Sequence, residues 1–104
     1  MGKVTFDGYI IDPLMRDLVG HDRQPSAFIV FLHLWARTNG ARTRALKTSL
    51  QEIADDTGLS KTAVQAGLKL LKRRRLIRSE AESPTAKPTI FVLNPWRRAR
   101  SKRS

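Results

Sequence analysis

The stretch "SLQEIADDTGLSKTAVQAGLKLLKRRRLI", residues 49 to 77, constrains the fold more than any other part of the chain. Ser49 precedes an apolar pattern of Leu50, Ile53 and Ala54, with Glu52 three positions on, the spacing of a reciprocal capping box. Thr57-Gly58 breaks this first pattern after about two turns. Ser60 then caps a second pattern that runs to about Arg74. Two capped helices joined by a short turn are predicted, and the second ends in a run of cations. That run is either a solvated helix end or one side of a surface that enters a nucleic-acid groove.

The flanking sequence predicts the rest of one small domain. Asp12-Pro13 resembles an N-cap followed by a proline in the first turn, and Leu14, Met15, Leu18 and Val19 recur at helical spacing up to Gly20. A short helix is expected over residues 13–19. Residues 26–38 form a second helix, opened near Gln24 or Ser26 and stopped at Asn39-Gly40. Phe28, Phe31, Leu32 and Trp35 make one stripe of it, and Ile29, Val30 and Leu34 fill much of the remainder. A helix apolar nearly all round must be covered on more than one side, by the first helix or by a second copy. "ARTRALKTS" reads as a loop leading to a short extended piece around Leu46. Residues 76–79 and 89–93 read as two strands separated by the proline-containing loop "EAESPTAKP". The expected fold is mainly α with a small β-hairpin, an α+β domain over residues 1–96. Trp96 is expected to lid its core. Residues 97–104 follow as a flexible basic tail.

Composition removes several classes of function. The 104 residues contain no cysteine, which excludes disulfides and thiolate metal sites within the chain. His21 and His33 are the only histidines, and no metal-ligand spacing surrounds either. Asp55 and Asp56 are adjacent, but neighbouring helical residues point about 100° apart and do not converge. No glycine-rich phosphate loop occurs. Neither enzymatic activity, nor a cofactor, nor a metal is expected, and the pattern marks no small-molecule pocket. No apolar run approaches the roughly 18–20 residues of a membrane span, and the N-terminus has no signal-peptide pattern. Phe6 occupies the position where myristoylation needs Ser or Thr. A cytoplasmic protein is expected.

Charge is distributed unevenly. Residues 1–56 carry seven Lys/Arg and seven Asp/Glu, whereas residues 57–104 carry thirteen Lys/Arg against Glu80 and Glu82 alone. The whole excess of +11 therefore lies in the second half. Clustered cations favour a polyanionic partner, because they release counterions condensed on phosphates. On a helix, residues 61–74 separate into an inward face of Val64, Gly67, Leu68 and Leu71 and an outer face of Thr62, Gln65, Ala66, Lys69 and Arg73. Lys61 and Lys72 lie at the flanks, and no carboxylate interrupts the outer face. Gly67 costs roughly 1 kcal/mol relative to alanine in a helix interior. Close approach of a neighbouring backbone is the expected compensation.

Ala54, Gly58 and Val64, spaced by four and six, resemble the helix-turn-helix signature. "GLSKTAVQAGLKLLKRRRLI" and the two strands after it resemble the winged helix-turn-helix domains of bacterial regulators. The similarity covers about residues 45–94, with the helix-turn-helix near 49–74 and the wing near 76–93. "SAFIVFLHLWARTNG" is similar to the helix that precedes this motif in winged-helix regulators, plasmid replication initiators and primosome proteins. The chain departs from the family at Arg74-Arg75, where a glycine commonly follows the second helix.

The resemblance implies double-stranded DNA as partner, with the second helix in the major groove. Gln65 is the foremost base reader, through paired hydrogen bonds to adenine. Lys61 and Lys69 reach guanine edges or phosphates, Thr62 a base or a thymine methyl, and Ala66 a methyl group. Ser60 caps the helix and suits a phosphate. Lys72, Arg73, Arg74 and Arg75 are expected to hold backbone, with Arg78 and Lys87 flanking the wing. Arg97, Arg98 and Arg100 of the tail add nonspecific affinity. Transcriptional regulation by a homodimer on a pseudo-palindromic site is the expected role. The alternatives are a replication, partition or conjugation accessory protein of a mobile element, or a winged-helix protein-interaction module. RNA is less favoured, since no aromatic platform accompanies the basic face.

Overall fold

The first helical stretch of the chain winds in an unusual register. The structure is a computed structural model that describes residues 2–96. Helix runs over residues 8–21, and both Ile10–Leu14 and Arg16–His21 adopt the wide π form. Asp12-Pro13 is therefore not a helix start, and Pro13 lies inside the stretch. An interior proline normally clashes with the carbonyl four residues back, and the wider π turn relieves that contact. Gly20 does not stop the helix either. The turn comes at Arg23, whose backbone is left-handed (φ 54°), while the Gln24 amide closes it on the Leu18 carbonyl at 2.9 Å. Ile10, Leu14 and Leu18 are buried, whereas Met15 and Val19 stand exposed beside Ile11.

Helix α1 spans Pro25–Arg37, one residue earlier at each end than its sequence pattern predicts. Proline fits a first helical turn, since its φ is preset and no amide there needs an intrahelical partner. Ala27, Phe28, Val30, Phe31, Leu34, Trp35 and Ala36 are buried, and among its large apolar side chains Ile29 alone is exposed. The covering elements belong to the same chain. The π-helical stretch packs on one side, the two later helices on others, and Trp96 closes the aromatic end. The apolarity of α1 is thus satisfied without a second copy.

Gly40, in the 3-10 turn Asn39–Ala41 after α1, is fixed by crowding. A β-carbon there would come within 2.6 Å of a Val4 methyl. The N-terminal segment runs this close because the Trp35 indole donates to the Thr5 carbonyl at 2.8 Å. Trp96 stacks on Tyr9 at 4.8 Å between centroids and on Trp35 at 5.8 Å, and its indole donates to Asp7 at 2.8 Å. It is a core lid.

Three strands complete the domain: β1 (Ala45–Lys47), β2 (Ile77–Glu80) and β3 (Thr89–Val92), in the order β1-β3-β2 and antiparallel throughout. The expected hairpin of β2 and β3 is present, with Ile77 opposite Val92. The extended piece around Leu46 is a third strand, with Leu46 opposite Ile90. Ile90 and Val92 are buried while Thr89 and Phe91 are half-buried, the alternation of a strand with one face on the core. The fold is α+β, mainly helical with a small antiparallel sheet. Among the described residues, no helix is long and apolar enough to cross a membrane.

Candidate nucleic-acid interface

Helix α2 (Leu50–Thr57) starts at Ser49, whose hydroxyl accepts from the Glu52 amide at 3.2 Å. The Glu52 carboxylate pairs with Lys87 and accepts from the Thr48 hydroxyl at 3.0 Å. Lys87 first, then Thr48, holds this carboxyl below its ordinary range. Gly58 adopts a left-handed φ of 82°, and its amide bonds the Ala54 carbonyl at 2.9 Å. Ser60 caps α3 (Lys61–Arg73), with its hydroxyl accepting from the Ala63 amide at 3.1 Å.

Val64, Gly67, Leu70 and Leu71 form the buried face of α3. Leu70 joins this face, and Leu68, expected there, is only half-buried at the edge of the sheet. Gly67 has the predicted explanation. Its absent β-carbon would lie 3.2 Å from the Ala27 Cα, so α1 and α3 cross in close backbone contact.

The opposite face carries Lys61, Thr62, Gln65, Ala66, Lys69, Lys72 and Arg73, all exposed. Among the described residues, Lys61, Lys69, Lys72, Arg73 and Arg75 have no carboxylate partner, so their charge is uncompensated. The other expected contacts are committed to partners within the chain. Arg74 pairs with Asp22, Lys87 with Glu52, and Arg78 with Glu80, while the Arg78 guanidinium also lies 4.2 Å above the Phe91 ring. Arg74 holds the Asp22 carboxyl below its ordinary range, with His21 assisting. Ser60 is exposed, with its hydroxyl engaged in capping. Arg97, Arg98 and Arg100 lie outside the described residues.

The Arg74-Arg75 step resolves as a Schellman turn without its glycine. The Leu76 amide bonds the Leu71 carbonyl at 2.9 Å, and the Arg75 amide bonds the Lys72 carbonyl at 3.0 Å. Arg75 sits in the left-handed position at φ 58°. A side chain there costs roughly 1 kcal/mol relative to glycine. Arg75→Gly is accordingly expected to raise unfolding stability by about 0.5–1 kcal/mol in urea titrations, while weakening duplex binding through removal of an exposed cation. Lower stability in that variant would remove the strain from the account.

No family model matches this chain. Likewise, no curated protein and no solved structure shows significant similarity to it.

Beside the basic face lies a feature that the sequence pattern does not mark. A groove of about 490 Å³ separates α3 from the β2–β3 hairpin, floored by Leu50, Leu68 and Ile90 and rimmed by Gln65, Lys69 and Lys72. Its one advance signal is Leu68, an apolar residue next to a polar helix face. A smaller hollow of about 240 Å³ on the outer hairpin mixes Glu80 and Glu82 with Lys47 and Lys87, so its charges offset each other.

His33, buried in α1, lies 4.0 Å from a carboxylate oxygen of Asp56, which Arg37 approaches at 3.9 Å. Burial, then Arg37, pushes the imidazole pKa down, against the opposing pull of Asp56. Among the described residues, no group of three His, Asp or Glu could hold a metal ion.

Proposed function

We propose that this protein is a winged helix-turn-helix DNA-binding protein that presents α3 to the major groove and acts as a transcriptional regulator in the cytoplasm. The observation that carries the reading is the concentration of uncompensated cations on one side of α3 and its C-terminal turn. Arg16, Arg37, Arg74, Arg78 and Lys87 are paired with carboxylates, and among the unpaired cations of the described residues Lys61, Lys69, Lys72, Arg73 and Arg75 lie together on α3 and its C-terminal turn, open to an external polyanion. Gln65, Thr62 and Ala66 lie among them and would supply selectivity. A binding role without catalysis, cofactor or metal fits this surface. A replication, partition or conjugation accessory role uses the same face and differs only in the site recognised.

Gln65→Ala and Lys69→Ala are expected to weaken a preferred duplex, found by selection from a random pool, by about 1–3 kcal/mol each. Random duplex should lose much less to Gln65→Ala. Equal losses on both duplexes would leave a nonspecific binder. Unchanged duplex binding together with tight binding of an acidic protein would favour the interaction module.

A homodimer is proposed on a different basis from α1. Ile11 (50% exposed), Met15 (39%) and Val19 (37%) lie four residues apart along one side of the N-terminal helical stretch. Sedimentation equilibrium should show a dimer that Met15→Glu dissociates. A wild-type chain that stays monomeric at tens of micromolar would exclude it.

A further inference from the structure

We infer that the groove between α3 and the β2–β3 hairpin binds a small organic anion, an apolar body bearing one carboxylate, and that this occupant competes with DNA. The competition rests on the DNA-binding reading, whereas the binding site does not. A volume of about 490 Å³ lies within the range of small-ligand pockets, roughly 300–1,000 Å³. Its floor is too apolar for a bare phosphate.

Two chemistries meet in the groove. Leu50, Leu68 and Ile90 offer an apolar floor, which gains when a hydrocarbon or aromatic body displaces water. Lys69 and Lys72, one helical turn apart on the same rim, have no carboxylate partner among the described residues. An ammonium at the edge of an apolar surface is less well solvated than one in open water, which strengthens its attraction to an anion. Gln65 adds an amide donor at the mouth. No acidic residue lines the groove, so nothing there selects a cation. The complementary ligand therefore has one anionic end and one apolar end.

The same side chains connect the groove to the proposed function. Gln65 and Lys69 face both the groove and the surface assigned to DNA. A bound carboxylate would engage Lys69, and the body beneath it would hold the Gln65 amide away from a base edge. Such an occupant acts as an inducer, releasing DNA as its concentration rises.

The test titrates the isotope-labelled full chain with 1-naphthoate and with its neutral counterpart 1-naphthamide, followed by amide NMR shifts. Naphthoate should saturate with a dissociation constant at or below about 1 mM and bind at least about tenfold tighter than the amide. Its shifts should centre on Leu68, Lys69, Ser79 and Ile90. The Lys69→Gln/Lys72→Gln variant should abolish the preference for the anion while keeping a dispersed spectrum. Ser79→Phe, which fills the groove from the hairpin side, should block both probes. Equal binding of the two probes, scattered shifts, or no saturation by about 10 mM naphthoate overturns the site. A second titration adds naphthoate to a protein–duplex complex, where duplex should be released. Saturation of the groove with duplex still held overturns the competition. A chain that binds naphthoate in the groove and no duplex at any salt concentration keeps the ligand site and sinks the DNA reading.

Discussion

Replacing Lys69 and Arg73 together with glutamate is expected to lower affinity for any duplex by at least about a hundredfold at roughly 0.1 M salt. Both side chains are exposed on α3 and neither has a carboxylate partner among the described residues, so the exchange breaks no internal ion pair. Stability should change little, within about 0.5 kcal/mol. The effect on DNA is large because two attractions become two repulsions on a face with no other acid. The slope of log affinity against log salt should also fall by about two, one for each phosphate no longer neutralised. Fluorescence anisotropy over a range of salt concentrations measures both quantities. An affinity within about threefold of the parent chain would show that α3 does not carry the polyanion contact.

Gly67→Leu should strongly destabilise the folded domain while leaving every cation in place. The absent β-carbon already lies 3.2 Å from the Ala27 Cα and 3.4 Å from a Val30 methyl. Leucine must force α1 and α3 apart, and overpacking of this kind costs about 3 kcal/mol. For a domain of this size, Tm should fall by more than about 10 °C. Gly67→Ala is the informative partner. Alanine regains roughly 1 kcal/mol of helix propensity, which offsets the need to shift Ala27 by a few tenths of an ångström. Calorimetry should therefore find the alanine variant close to neutral and the leucine variant strongly destabilised. Similar stability for all three chains would mean that the helices do not meet at Gly67.

The parts legible in the sequence are those governed by local chemistry. Ser49, Gly58 and Ser60 act through groups three or four residues away, and each does what its spacing predicts. Gly67 is legible for a related reason, since an interior helical glycine needs a packing explanation and Ala27 supplies it. The π-helical stretch is not legible, because Asp12-Pro13 has the same local signature whether it starts a helix or lies inside a widened one. Strand β1 needs a partner more than forty residues away before a three-residue extended piece becomes part of a sheet. Ion pairing is hidden for the same reason. Arg74 and Lys87 look as free in the sequence as Lys69 and Arg73, and only the fold brings Asp22 and Glu52 beside them. The groove depends on how α3 leans against the hairpin, which no spacing along one element encodes.

The central position of β3 has a consequence for the timing of structural order. Its hydrogen bonds run to β1 on one side and β2 on the other, and the Val92 carbonyl accepts from the Asn39 side chain at 3.2 Å. The Thr48 amide, next to α2, donates to the Pro88 carbonyl at 3.2 Å, and Lys87 pairs with Glu52 just beyond it. Strand β3 is thus held at both ends before anything binds. Hydrogen exchange should be slow along β3 and fast over residues 81–86, and the contrast should persist when a ligand is added. An incoming molecule meets a gap whose width was settled during folding. Its association then carries little ordering entropy, and selection among candidates is made on shape and charge.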